Sequence, residues 1–374
     1  MADSPIIPKD ACTLRPPASP KLVPERHFSP NGPGASRSHD NISRIKTILS
    51  LPTIEEQIDA FGRLRNCFMH EANSPSYPVL LQYMSGETSL QKTIDRIAEP
   101  IEELWRTGDH CAENGAEEDV EGYPWTSAVG TLMDLWYGVM HTAKRTPWMD
   151  SAAQNKLIVL LQAFKTRPAP TRSPEQQATV DRINPEYWDE SEGMLWEGLP
   201  WYGLCAAEVR NDCPDCGSGC QIPEGIAFTN LCGYQARLAL AENVFEAWDY
   251  ELNTLCSALD TDIEPHVADA LVPAAAVWVL IHRERLWEKC VRGVYSKKVS
   301  GQFYASWPGQ RWVDRGNQIT HFSKERWAFW KERFGVMASD EKLRVETSQI
   351  AGLAVEVMDT IEMGEDGKGH VIKV

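Results

Sequence analysis

Apolar residues recur along this chain at three- and four-residue steps, the period that lines up one face of an α-helix. The first long stripe is Ile54, Ile58, Phe61, Leu64 and Phe68. It follows Thr53-Ile54-Glu55-Glu56, in which the Thr and Glu side chains are spaced to satisfy each other's backbone N–H as a capping box. Ahead of it a shorter helix carries Ile42, Ile45 and Ile48, with Asp40 or Asn41 as cap. A third runs from Thr88 to Trp105, and Pro100 is expected to kink or interrupt it, because the ring removes an i to i−4 hydrogen bond.

Two further stripes predict a helical hairpin. One holds Val129, Leu132, Trp136, Val139 and Ala143; the other holds Ala153, Leu157, Leu160, Leu161 and Phe164, with Asp150 or Ser151 as its cap. Between them "RTPWM" is a short Pro-bearing turn, which implies antiparallel neighbours. From Phe228 to Leu259 the stripe through Leu231, Gln235, Leu238, Phe245, Trp248, Leu252 and Leu255 predicts one long helix, or two with a break near Gly233. Val267, Leu271, Ala274, Trp278 and Ile281 make the next. "SKERWAFWKERF", capped by Ser323, makes another, and a final helix is expected over Ser339 to Met363. No run alternates with period two, so the expected class is all-α, an irregular multi-helix bundle.

The segments between are polar. Residues 1–38 are rich in Pro, Ser, Arg and Gly without apolar periodicity and read as a disordered tail. A single large helical domain is expected over 39–363, with a long loop-rich connection at 166–225 and a flexible tail at 364–374. "GDHCAENGAEEDVEG" carries acids unopposed by Lys or Arg and reads as a solvated loop.

Composition narrows the function classes. A net charge of −16 and a pI near 5.1 oppose phosphate backbones and anionic membranes, so neither nucleic acid nor membrane is an expected partner. The apolar run Ala270 to Ile281 is too short to span a bilayer and carries Pro273, which favours a buried core helix. With no export signal, the ten cysteines read as thiols, in the cytoplasm or nucleus. Fourteen tryptophans favour a heavily packed interior over ligand cages.

The segment "LMDLWYGVMHTAKRTPWMDSAAQNKLIVLLQAFK" resembles the opening of a fungal family known only as a domain of unknown function, number thirty-six thirty-two. The matching positions are Trp136, His141, Ala143, Lys144, Pro147, Gln154 and Leu157. "FTNLCGYQARL" is similar to that family's Asn-Leu-x-x-Phe-x-Ala-Arg-Leu helix through Asn230, Leu231, Ala236, Arg237 and Leu238. "AAAVWVLIHRERLW" and "FSKERWAFWKERF" resemble its later helices, so the likeness runs over roughly residues 90 to 335. The resemblance implies an α-helical fold and a filamentous-fungal source. Some relatives are encoded near secondary-metabolite genes, and the family supplies no catalytic residue to carry over.

Candidate chemistry is sparse. Cys213-x2-Cys216-x3-Cys220, completed by Cys205 or Cys232, has part of the spacing of a zinc site, which needs four soft ligands at tetrahedral corners. The second C-x2-C that makes such a pattern specific is missing, and an inert thiol-rich loop is the favoured reading. Acidic Asp212 and Asp215 are expected to raise the thiol pKa, which opposes a redox enzyme. Arg237, on an apolar helix with Glu242, Glu246 and Asp249 downstream, reads as an ion-pair partner or an anion clamp. His141 and Lys144 end their helix as cations that complement its dipole. His266 and His282 lack a second ligand four residues away. Glu242 and Glu246 share a face without the Glu-x-x-His of a di-iron site. No dinucleotide fingerprint, phosphate loop, zinc-protease or serine-hydrolase motif occurs.

The reading is therefore a non-enzymatic protein that binds a protein partner or a small molecule without a cofactor. The first alternative is an accessory enzyme of fungal secondary metabolism, with a pocket between Trp-bearing helices and Arg237, His141, Trp136 and Trp248 as ligand contacts. The second is an interaction module supported by zinc on the cysteine loop.

Overall fold

The computed structural model describes residues 35–65, 74–107, 128–180, 195–241, 250–294, 308–317 and 319–367. Among the described residues there are fourteen helices and no strand; only an isolated bridge joins Pro214 and Ser218. The chain divides into two compact units, one inserted in the other: a split unit of Met1–Pro52 with Gly219–Val374, and an inserted unit of Thr53–Ser218.

In chain order the split unit contributes α1 (Ala35–Leu49) first. The inserted unit follows with α2 (Ile54–Arg65), α3 (Tyr77–Ser85), α4 (Leu90–Thr107), α5 (Ala128–Arg145), α6 (Ser151–Lys165), α7 (Pro174–Val180) and α8 (Tyr202–Asn211). The split unit resumes with α9 (Ile222–Leu240), α10 (Tyr250–Leu259), α11 (Pro265–Arg292), α12 (Gln310–Asp314), α13 (Lys324–Ala338) and α14 (Val345–Gly367). The acidic segment 108–122 and Phe68 lie outside the described residues, as do positions 1–34 of the expected N-terminal tail.

The inserted unit is organised round α5, which packs on α2, α3, α4, α6 and α8. Its Leu132, Leu135, Trp136, Val139 and Met140 are all fully buried. The local stop and start signals act as expected. Thr53 Oγ1 accepts from Glu56 N while Glu56 Oε2 accepts from Thr53 N, both at 3.2 Å. Asp150 Oδ1 accepts from Ala153 N at 2.9 Å, capping α6. Asp150→Ala is expected to lower unfolding stability by about 1 kcal/mol, the usual worth of such a cap, measured by urea denaturation.

Several expectations are corrected. α4 runs unbroken through Pro100, because that residue sits on the exposed face while Ile94, Ile97, Ala98 and Ile101 on the other face are buried. Water on that side can serve the carbonyl the ring leaves unpaired. Within the connection read as loop-rich, 166–225, lie α7 and α8, and α9 begins there. α8 forms because Tyr202, Cys205, Ala206 and Val209 bury one face. α1 begins at Ala35, before the predicted Asp40 or Asn41 cap.

The split unit is organised round α11, which packs on α9, α10, α13 and α14. α9 passes through Gly233 without a break, correcting the second expectation for that stripe, and residues 242–249 lie outside the described set. α11 extends well beyond the apolar run read from sequence. By length and composition it could cross a bilayer, but 72% of its most apolar window is buried inside the fold, which marks it as a core helix. α14 starts six residues later than expected, because Arg344 N is held by Asp269 Oδ1 at 2.9 Å and Lys342 N by Asp340 Oδ1 at 2.9 Å in a turn. Ser323 caps α13 through Arg326 N at 3.1 Å, as its sequence predicts.

α9 and α11 form the most extensive helix pair, and their relative direction can be deduced. Gly225, in the first turn of α9, sits so close to Ala270 that an added Cβ would lie 3.1 Å from its Cα. An antiparallel course from that point would carry α9 past Pro265, the start of α11, within about a turn and a half. Yet α9 is buried at every position from Pro223 to Leu238 except Ile226 and pairs with α11 extensively. The two helices therefore run parallel, touching through small residues near their N-termini.

Candidate functional site

His141 does not act as a solvated cation at the end of α5. It is 3% exposed, and its Nε2 lies 2.7 Å from Asp59 Oδ1 of α2. A carboxylate only accepts, so Nε2 carries the proton. The Tyr77 hydroxyl of α3 donates to the same oxygen at 3.3 Å, and Arg145 Nε pairs with it at 3.4 Å. Arg145 Nη1 donates to the Tyr77 hydroxyl at 2.8 Å, and the Tyr77 ring packs edge-on to His141. Burial holds His141 below its ordinary pKa, with Asp59 opposing that shift. Lys144 turns away to Asp212 at 3.5 Å. The cluster ties three helices together, and its acid–base groups are occupied with one another.

Trp136 stands about 140° round α5 from His141. Its indole N–H donates to Pro200 O at 2.7 Å and its ring meets Phe164 and Tyr202 edge-on. The two residues thus address different neighbours, α6 and α8 on one side and α2 and α3 on the other. Arg237 belongs to the split unit and is buried on α9, where its Nη1 donates to Gly233 O at 3.2 Å. Trp248, Glu242, Glu246 and Asp249 lie outside the described residues. Trp136 and His141 therefore belong to the inserted unit and Arg237 to the split unit.

The cysteines named for zinc are divided as well. Cys205, Cys213 and Cys216 belong to the inserted unit, whereas Cys220 and Cys232 belong to the split unit. None of the five is in a disulfide; Cys213 is half-buried, Cys216 exposed and the others buried. Among the described residues no group of three or more His, Cys, Asp or Glu is placed to hold a metal ion.

The parallel register of α9 and α11 builds a different site. Measured from the Gly225–Ala270 contact at about 100° per residue, Trp278 lies about 80° and His282 about 120° round α11. Gln235 lies about 80° round α9 in the opposite sense. For two parallel helices facing one another, opposite senses bring side chains to the same flank. Counted along the axes at about 1.5 Å per residue, Gln235 falls at a height between Trp278 and His282. The three exposures are 4% for Gln235, 0% for Trp278 and 3% for His282. Gln235 Nε2, Trp278 Nε1 and His282 Nδ1 have no hydrogen-bond partner among the described residues.

Helical geometry thus places three unmet polar atoms on one flank of the α9–α11 pair. Burial, with Lys289 and Arg285 adding to it, pulls His282 down to about 3, so it is neutral at physiological pH. Neutral His282 can accept or donate at Nδ1 according to its tautomer, while the indole and the amide nitrogen donate. Groups of this kind match the carbonyl or hydroxyl of an uncharged molecule. Sequence reading noted Gln235 as one member of an apolar stripe and His282 as isolated. A polar amide on an otherwise apolar face was the available signal. Asp59 was missed for a similar reason: a carboxylate beside Ile58 and Phe61 in a buried stripe.

Among the described residues the fold is all-α, with three unmet polar groups buried on the α9–α11 pair. The sequence profile described as "Protein of unknown function (DUF3632)" matches residues 136–334, more than half of the chain, and the protein belongs to that family. The match spans α5 to most of α13, including the His141 helix and the α9–α11 pair. No curated protein and no solved structure matches the chain.

Proposed function

We propose that this protein is a binding protein, not a catalyst, and that it takes a small uncharged polar molecule at the flank of α9 and α11 where Gln235, Trp278 and His282 lie. The observation that carries the reading is the trio of buried, unmet groups on Gln235, Trp278 and His282. A buried polar atom left without a partner costs roughly 1–3 kcal/mol, so three on one flank represent a large standing demand for hydrogen bonds. The occupation of His141, Asp59, Tyr77 and Arg145 with one another supports binding over acid–base chemistry in the inserted unit.

The test is native mass spectrometry on protein isolated from its own cells. The wild type is expected to carry a small molecule at near-stoichiometric occupancy. Trp278→Phe removes the indole N–H and keeps an aromatic ring, so the dissociation constant for the recovered molecule should rise about tenfold, the worth of one hydrogen bond of ~1.4 kcal/mol. A wild type without added mass, together with a crystal structure showing only ordered water at Gln235, Trp278 and His282, would refute the reading.

A further inference from the structure

We propose that Cys213 and Cys216 are a peroxide-oxidisable thiol pair that closes a disulfide across the turn following α8. The sequence Cys-Pro-Asp-Cys builds that turn locally. Pro214 occupies the second position, where its fixed φ is favourable, and Asp215 occupies the third with φ +66°, the left-handed conformation a type II turn demands. Cys216 N donates to Cys213 O at 3.1 Å, closing the turn. A closed turn of this kind keeps its end Cα atoms within about 7 Å, and a disulfide spans about 4.4–6.8 Å.

The surrounding backbone holds this arrangement. Ser218 N donates to Cys213 O at 3.3 Å and Gly217 N to Asn211 O at 3.0 Å. Gly217 lies so close to the end of α8 that an added Cβ would sit 2.5 Å from Asn211 O, which accounts for glycine there. Oxidation thus needs little rearrangement. Exposure separates the roles: Cys216 is exposed, Cys213 is half-buried, and Cys205, Cys220, Cys232, Cys256 and Cys290 are buried. Burial first, and then the neighbouring Cys216, push Cys213 up to about 11. The acids expected to do this, Asp212 and Asp215, are not its cause, and Asp212 is itself paired with Lys144.

The Cys216 thiolate attacks one oxygen of hydrogen peroxide; the O–O bond breaks, leaving Cys216 sulfenic acid and hydroxide. Cys213 then loses its proton to hydroxide and attacks Cys216 Sγ, and the S–O bond breaks as the hydroxyl leaves and is protonated. Two thiols and one peroxide give one disulfide and two waters.

The experiment exposes the reduced full chain to equimolar hydrogen peroxide and maps the products by mass spectrometry. The wild type should lose 2 Da in the peptide containing both residues, with fragmentation placing the bond between Cys213 and Cys216, reversibly by dithiothreitol. Cys213→Ser should strand Cys216 as a sulfenic acid that dimedone traps, and Cys216→Ser should slow oxidation of this segment at least tenfold. Far-UV circular dichroism confirms that both variants keep their helices. Progression of wild-type Cys216 to sulfinic acid without the internal disulfide, or its pairing with another cysteine, would overturn the proposal.

Discussion

Arg326→Met is expected to cost the fold about 3–5 kcal/mol, the range for stranding one member of a buried ion pair. Arg326 and Asp260 are both wholly buried, and Arg326 Nη2 lies 2.5 Å from Asp260 Oδ2. The other carboxylate oxygen accepts the indole N–H of Trp330 at 2.8 Å, and Nη2 also donates to Cys256 Sγ at 2.8 Å. The guanidinium lies against the faces of Trp312 and Trp330, 5.8 and 5.6 Å from their centroids. Removing the arginine leaves Asp260 charged and desolvated with a single donor. Arg326→Met with Asp260→Asn removes both charges and keeps an acceptor for Trp330, so the double variant should be more stable than Arg326→Met alone. Guanidinium denaturation measures both. A single variant within about 1 kcal/mol of wild type would mean that the pair is not what holds α10 to α13.

Acidification is the second large expected effect. His282 has a folded pKa of about 3 against an ordinary value of 6.5, so protonation favours the unfolded chain. Its contribution is complete above 6.5, declines as pH falls below that value, and is exhausted at about 3. Each tenfold weakening of proton affinity on folding is worth about 1.4 kcal/mol, so the loss amounts to several kcal/mol. His141 is shifted in the same direction and adds to it. Most carboxylates titrate lower, so the interval from about pH 6.5 to about 4.5 isolates the histidines. His282→Gln should flatten the fall in stability over that interval, as read by urea midpoints at successive pH values. An unchanged slope would show that His282 is not the group responsible.

Features decided within a few residues were legible in the sequence. The caps at Thr53, Asp150 and Ser323 act over three positions, and the stripes of α2, α5, α6, α11 and α13 are long enough to show their period. α3 was not visible, because its nine residues are too few for a period and it is anchored from elsewhere: Ser76 N donates to Asp134 of α5 at 3.0 Å. Pro100 misled because its effect depends on which face meets solvent. The site was least legible of all. His141 meets Asp59 across 82 positions of sequence, and Gln235 shares a flank with Trp278 and His282 only through the parallel register of two helices. Residue types reveal what a group can do, but these partnerships are set by the packing.

The split course of the chain also orders its assembly at the ribosome. α1, whose Ile45 and Ile48 end up buried, emerges first but belongs with helices encoded after Ser218. Translation delivers the whole inserted unit before those companions exist, at a pace of about 5–20 residues per second. For that interval Ile45 and Ile48 precede the helices with which α1 is grouped in the fold.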